Sequence, residues 1–337
     1  MLYESFPLQR KHWSLEMDLN SDFHLLIKAE MKKIGIEPSG TRDIVYEFFN
    51  TMKRIIAIRP RKVLKSNEFL CPEEYKRALE EFENNVKNGT NLNRYLSDQI
   101  KQPERSDDLL NDWNIFHFHL TKRFRDDGFA RRSDYQIFAW VTDECVYMIQ
   151  VYPHSSEYLY CKKEMIEILE NNWPELLEHS KMMGIEGLET RLNDAEYSQL
   201  RKAHITTLVQ TGEQKIYGLI GGGYMSDGSS GEAVRNADFW HNQLKKCEDI
   251  IENNMVKIIE IIEKMRGCHM SAHCMIRLLL LPGSADEITV IEVNNYIGIQ
   301  LLLKEGRLRV YKIEDEVKLD SDSKLKCPNH LAKMESI

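Results

Sequence analysis

Two histidines separated by a single residue, His117 and His119, have the types and spacing best suited to chemistry in this 337-residue chain. They lie in the segment Ile115–Leu120, whose alternation of apolar and polar residues predicts a β-strand. Side chains two residues apart on a strand project from the same face, so we expect both imidazoles to point the same way. Because histidine titrates near neutral pH, such a pair can accept and return protons during catalysis.

The segment that surrounds this strand is rich in arginine. Between Trp113 and Tyr135 the chain carries five basic and three acidic residues, although its formal net charge is −8. Cleavage of RNA without a metal ion needs a base for the 2′-hydroxyl, an acid for the leaving oxygen and a cation for the charge that develops on the phosphate. Imidazoles and guanidiniums can fill all three roles. We therefore predict a catalytic set of His117, His119, Arg131, Arg132 and His154, with Arg123 and Arg125 binding the substrate.

The motif Leu-Asn-Asp-Trp-x-Ile-x-His-x-His-Leu at residues 110–120, followed by a strand that ends in Pro153-His154, resembles an uncharacterised group of bacterial proteins. It more distantly resembles small ribonuclease toxins of the RelE type, which carry basic and imidazole residues on a compact sheet. The resemblance covers residues 100–180. It implies a metal-independent endoribonuclease that acts as a toxin or phage-defence effector. RNA or a nucleotide would be the ligand, and an antitoxin or other protein the partner.

Two alternatives use the same residues. A His-x-His pair on a strand is also a common half of a zinc or iron site, which His154, Asp112 or Asp134 would complete in a metal-dependent hydrolase. In the other alternative both histidines are structural and the arginines form a solvated face of a non-catalytic interaction or sensor protein. The favoured function uses no metal and no other cofactor.

Six of the 17 glycines fall between Gly218 and Gly231, directly before a long predicted helix. Backbone amides at such a position could hold a phosphate, but the lysine and serine or threonine of a P-loop are missing. We favour a mobile lid over the first sheet. The residues of this loop that would approach the substrate are Gly221, Gly222, Gly223 and Tyr224.

Two further clusters have weaker signals. The segment Cys268-His269-Met270-Ser271-Ala272-His273-Cys274 contains four potential zinc ligands, but its cysteines are six residues apart and no second pair lies nearby. Residues 53–65 carry six basic residues and no acidic one, which favours a solvated face beside a helix end over a nucleic-acid contact.

The helix and strand patterns of the sequence predict an α+β fold. It has a helical N-terminal part followed by a mixed, largely antiparallel sheet with flanking helices. Helical periodicity dominates the first hundred residues, and strand patterns begin after Trp113. A long helix is predicted from the apolar positions between Trp240 and Ile262, and four strands follow it. We predict a helical region at 1–105, an α+β core at 106–265 and a β-rich extension at 266–337. The polar segment 101–108 is the predicted linker.

Composition restricts the class of protein. The acidic balance, with 45 basic and 53 acidic residues, argues against a general nucleic-acid coat protein, which would be basic overall. The first residues lack the apolar core of a signal peptide, and no apolar stretch is long enough to span a bilayer. The seven cysteines, including Cys327, are therefore expected to be reduced thiols in a cytoplasmic protein.

Overall fold

A computed structural model describes residues 14–212, 215–270 and 273–313, so the N-terminal segment 1–13, Cys327 and the rest of 314–337 lie outside the described residues. The fold is α+β with a helical N-terminal part, as the sequence predicted. Packing divides the chain into two compact units. Residues 35–237 form one, and the described residues of 1–34 and 238–337 form the other.

The α-helices are α1 (Leu19–Lys33), α2 (Ile44–Arg54), α3 (Lys76–Asn88), α4 (Asp108–Trp113), α5 (Glu164–Asn172), α6 (Asp194–Lys202) and α7 (Gly231–Arg266). Short 3-10 helices occupy Glu73–Tyr75, Leu92–Tyr95, Asp98–Lys101, Leu159–Cys161 and Pro174–Ser180. In the part of the chain that the structure describes, no helix is both long and apolar enough to cross a membrane.

The strands in the described residues form three sheets. They are β1 (Ser14–Met17), β2 (Lys62–Lys65), β3 (Phe116–His119), β4 (Tyr135–Val141), β5 (Cys145–Pro153), β6 (Val209–Thr211), β7 (Lys215–Tyr217), β8 (His273–Arg277), β9 (Glu287–Glu292), β10 (Ile297–Leu302) and β11 (Arg307–Lys312). In residues 35–237 the main sheet has the order β2-β5-β4-β3, and β6 and β7 form a separate hairpin. The other unit contains the sheet β1-β8-β9-β10-β11.

The histidine strand β3 is an edge of the four-stranded sheet and pairs antiparallel with β4. His117 lies opposite Phe138 and His119 opposite Gln136, so the two imidazoles share a face as expected. On the opposite face Phe118 packs with α3 in a core that also contains residues of β4 and β5. The histidine face also carries buried apolar side chains such as Phe138 and Trp140, so the sheet is packed on both faces and the imidazoles lie at its β3 edge.

The turn from α4 into β3 brings the strand to its position. Asp107 caps α4, its side chain accepting a hydrogen bond from the Leu110 backbone N–H at 3.0 Å. The helix ends at Asn114, which has a φ of 55°, a left-handed conformation that asparagine tolerates better than most residues. The chain thus reverses within two residues and β3 begins at Phe116.

The strand β2 comes from the basic segment that was predicted to be a solvated face. It pairs parallel with β5, with Val63 opposite Val146. Lys62 and Lys65 at its ends are exposed, and β2 forms an edge of the sheet. Lysines are common on edge strands because they discourage pairing with other chains. Lys62 and Lys65 thus lie on the surface as predicted, but Arg54 and Arg61 of the same basic segment are buried, and the strand itself was missed.

The unit of residues 14–34 and 238–313 has its own core. Phe23 of α1 and Trp240 of α7 are buried, with ring centroids 5.6 Å apart. Ile276 of β8 and Ile299 of β10 are fully buried in the sheet. The long helix and the four C-terminal strands predicted from the sequence are present here.

The limits of the two units differ from the boundaries predicted at residues 105 and 265. Phe82 of α3 contacts Phe118 of β3, with ring centroids 5.0 Å apart, so residues before and after 105 share one core. The segment 101–108, predicted to be a linker, likewise lies within the unit of residues 35–237. Tertiary packing, which composition does not reveal, sets these limits.

Candidate functional site

A cleft of about 650 Å³ opens on the histidine face of the four-stranded sheet, entirely within residues 35–237. Two segments supply much of its wall: the edge strand β3, and the polar segment 96–110 that leads into α4. Five of the residues predicted to form the site line this cleft, namely His117, His119, Arg125, Arg132 and His154.

His117 is held by two aromatic rings. Its centroid lies 6.3 Å from that of Phe138 and 5.1 Å from that of Tyr160. Its Nδ1 is buried and makes no hydrogen bond to the described residues, although Oδ2 of Asp107 lies 3.8 Å away. The Nδ1 side of the ring therefore faces protein, which leaves Nε2 as the nitrogen available to a ligand.

His119 has a different electrostatic environment. Burial, together with the nearby His117, His154 and Arg132, lowers its pKa from 6.5 to about 4. Its Nδ1 is also buried without a hydrogen-bond partner among the described residues. At neutral pH this imidazole is uncharged, the form that accepts a proton from a substrate.

Arg132 and His154 form a pair at the mouth of the cleft. Nη2 of Arg132 lies 3.2 Å from Nε2 of His154. Since a guanidinium only donates hydrogen bonds, the imidazole nitrogen accepts in this contact. Arg132 is exposed and has no carboxylate within ion-pair distance in the described part of the chain, so its charge is available to an anion. His154 is thus in direct contact with Arg132.

The other predicted arginines have separate environments. Arg125 lines the cleft but is paired with Asp98 at 2.6 Å and Asp127 at 2.5 Å. Arg123 and Arg131 are exposed and are not among the residues that line the cleft. Their backbones are hydrogen-bonded to each other across the loop between β3 and β4. The structure thus brings Arg132 to the imidazoles and leaves Arg131 outside.

Several residues of the cleft were missed by the sequence analysis. Tyr160 donates a hydrogen bond to the side chain of Gln136 at 3.0 Å, beside His117. Arg54 and Asp107 also line the cleft. Asp107 lies in the polar segment 101–108, which was predicted to be a linker, and Arg54 lies in the basic segment 53–65, which was predicted to be a solvated face. Tyr160 had no signal in the sequence.

A buried ion pair fixes the back of the cleft. Nε and Nη2 of Arg201 donate to Oδ2 of Asp112 at 3.0 and 2.6 Å, and both side chains are at most 6% exposed. Arg201 also donates to the backbone carbonyl of Tyr160 and lies over the Trp113 ring at 4.5 Å. One guanidinium thus joins α4, α6 and the 3-10 helix that carries Tyr160. The Asp112 carboxylate therefore belongs to this structural ion pair and not to a metal site.

The glycine-rich loop does not line the cleft. The amides of Gly221 and Gly223 donate to the carbonyls of Asp112 and Asn111, and that of Gly222 donates to Leu219 within the loop. A Cβ on Gly221 would lie 2.3 Å from the Leu110 carbonyl oxygen, so only glycine fits this close approach. The loop is a packed support beneath α4, and those three amides are not free to hold a phosphate.

Tyr224 belongs to the same loop and also contacts α4. Its hydroxyl donates to the backbone carbonyl of Asp108, and its amide donates to the Thr206 hydroxyl at 2.9 Å. It therefore supports the helix that Asp107 caps without itself lining the cleft.

Neither predicted metal cluster has converging ligands. Among the described residues, no group of three histidine, cysteine, aspartate or glutamate ligand atoms within 4.8 Å of one another includes His117, His119 or His154. The same holds for Cys268, His269, His273 and Cys274, all of which are described. The thiols of the described cysteines are free.

No family model matches this chain, and neither a curated protein nor a solved structure is significantly similar to it.

Proposed function

We propose that the cleft binds RNA and cleaves its phosphodiester bonds without a metal ion, by proton transfer through His117 and His119. The observation that carries this proposal is the placement of both imidazoles on one face of an edge strand, in a cleft beside an arginine that has no carboxylate partner there. Structural histidines are ordinarily hydrogen-bonded when buried. Here Nδ1 of each ring is buried without a partner among the described residues.

The chemistry requires three groups at the cleft. One imidazole takes the proton of the ribose 2′-hydroxyl, whose oxygen then bonds to phosphorus. The bond from phosphorus to the 5′-oxygen breaks, and the other imidazole gives its proton to that oxygen. Arg132 stabilises the charge on the phosphate oxygens in the transition state. The products are a 2′,3′-cyclic phosphate and a 5′-hydroxyl, and proton exchange with water restores both imidazoles.

The test is cleavage of a mixed-sequence single-stranded RNA by the purified chain in the presence of EDTA. We expect His117→Ala and His119→Ala each to lower the rate by about 10²-fold or more, the contribution of general acid or base catalysis. His179→Ala is the matched control, because His179 is exposed and does not line the cleft. DNA of the same sequence lacks the 2′-hydroxyl and should remain intact.

Three results would contradict the proposal. One is a wild-type chain that leaves the RNA intact, and another is a double variant of His117 and His119 that still cleaves at the wild-type rate. The third is activity that EDTA abolishes and a divalent cation restores, which would favour the metal-dependent alternative. A 3′-phosphate or cyclic phosphate on the product supports the mechanism, whereas a 5′-phosphate does not.

An RNA-cleaving cleft of this kind suits a toxin or phage-defence effector, as the resemblance to RelE-type toxins implies. In that role a partner protein that covers the cleft would keep the cell's own RNA intact. Growth arrest on expression of the wild-type chain, relieved by the double variant of His117 and His119, is the expected result.

A further inference from the structure

Asp107 is the carboxylate closest to the imidazole pair, and its position is fixed from two sides. Its Oδ1 accepts the hydrogen bond of the Leu110 amide that caps α4. Its Oδ2 lies 3.8 Å from Nδ1 of His117, and its side chain is 28% exposed. The cap thus holds the carboxylate close to a nitrogen that has no other partner among the described residues.

Among the described residues, Asp107 is the only carboxylate within ion-pair distance of His117. The faces of the ring are covered by Phe138 from β4 and by Tyr160 from the 3-10 helix. Its neighbour on β3 is His119, which is uncharged at neutral pH. A closing movement of about 1 Å would bring Oδ2 into hydrogen-bond distance of Nδ1.

His119 has no comparable partner. The charged groups that act on it most strongly are His117, His154 and Arg132, all of which disfavour a second positive charge. Among the described residues no carboxylate lies within ion-pair distance of it. The two imidazoles therefore share a face of the sheet but differ in their electrostatic environment.

We propose that Asp107 is the positioning residue of His117. It orients the ring with a proton on Nδ1 and stabilises the imidazolium. It thereby makes His117 the acid and His119 the base. This inference rests on the proposed function. In the forward step His119 takes the 2′-hydroxyl proton through Nε2 and ends protonated. His117 gives its Nε2 proton to the leaving 5′-oxygen and ends neutral, still protonated on Nδ1.

The experiment uses the full chain and the variant Asp107→Asn, since asparagine caps helices as well as aspartate. Its amide can donate to Nδ1 of His117, which would move the proton of the neutral ring to Nε2. The ¹⁵N NMR spectrum of the histidine rings, recorded without RNA, reports this tautomer. Asp43→Asn is the matched control, because Asp43 also caps a helix through a backbone amide, that of Val45 in α2, and does not line the cleft.

We expect the His117 tautomer to change in Asp107→Asn and not in Asp43→Asn. For RNA cleavage we expect kcat to fall by about 10²-fold or more with KM little changed. Asp107→Ser keeps a capping oxygen but is too short to reach His117, so it should also lower kcat.

The NMR result separates this inference from the proposed function. A tautomer change in a chain that cleaves no RNA would support Asp107 as the partner of His117 and refute the ribonuclease. An unchanged tautomer, together with a kcat equal to that of Asp43→Asn, would overturn the role of Asp107 even if the wild-type chain is an active ribonuclease.

Discussion

The surroundings of His119 favour the uncharged form of its imidazole. Burial and three positively charged or titratable neighbours lower its pKa to about 4, against 6.5 in an unfolded chain. Between these two pH values the unfolded chain binds a proton that the folded chain excludes, so the free energy of unfolding falls as the pH falls through this window. Above pH 6.5 the effect disappears, because neither state is protonated.

The corresponding prediction concerns acid stability. We expect His119→Gln to reduce the pH dependence of the free energy of unfolding between pH 6.5 and 4, by at most about 1.4 kcal/mol per pH unit. Urea unfolding at several pH values measures this slope. His179→Gln, at an exposed histidine, should leave the slope unchanged. A slope that is equal in the wild type and His119→Gln would show that His119 titrates normally in the folded chain.

At the scale of elements, α2 holds the polar segment that forms one wall of the cleft. The fully buried amide of Asn50 donates to the carbonyls of Pro103 and Arg105, each at 2.7 Å. One turn later the buried Arg54 donates to the carbonyls of Gln99 and Gln102. This polar clamp orders a segment that has little apolar surface of its own. It thereby also positions Asp107 at its end.

Removal of the clamp should therefore affect stability and activity together. We expect Asn50→Ala to lower the free energy of unfolding by about 1–3 kcal/mol, because it leaves two backbone carbonyls without their donor. Asn84→Ala makes the same chemical change on the exposed face of α3 and should alter stability by less than about 0.5 kcal/mol. Equal stabilities of the two variants in urea unfolding would contradict the clamp.

The same elements show what the sequence could predict. The strands β3, β4 and β5 and the helix α7 follow from periodicity, which is a local property, so the shared face of His117 and His119 was predictable. The clamp and the Asp112–Arg201 pair join residues far apart in the chain and have no local pattern. Glycine content alone could not separate a mobile lid from the close backbone packing found at Gly221.

At the scale of the whole molecule, residues 35–237 contain all the residues that line the cleft and two hydrophobic clusters of their own. One cluster fills the space between α3 and the sheet, around Phe82 and Phe118. The other lies on the opposite side, around Trp113 and Trp173. A continuous segment of this length buries enough apolar surface to fold as an ordinary domain.

We therefore expect a fragment of residues 35–237 to unfold cooperatively in urea and to retain the RNA cleavage proposed for the full chain. A fragment of residues 106–265, which follows the boundaries predicted from the sequence, loses α3 and the Asn50–Arg54 clamp. It should lack a cooperative transition, because one face of the sheet is left without its cover. Circular dichroism during urea titration compares the two. If only the fragment of residues 106–265 unfolds cooperatively, the domain boundaries predicted from the sequence are correct and those inferred from packing are wrong.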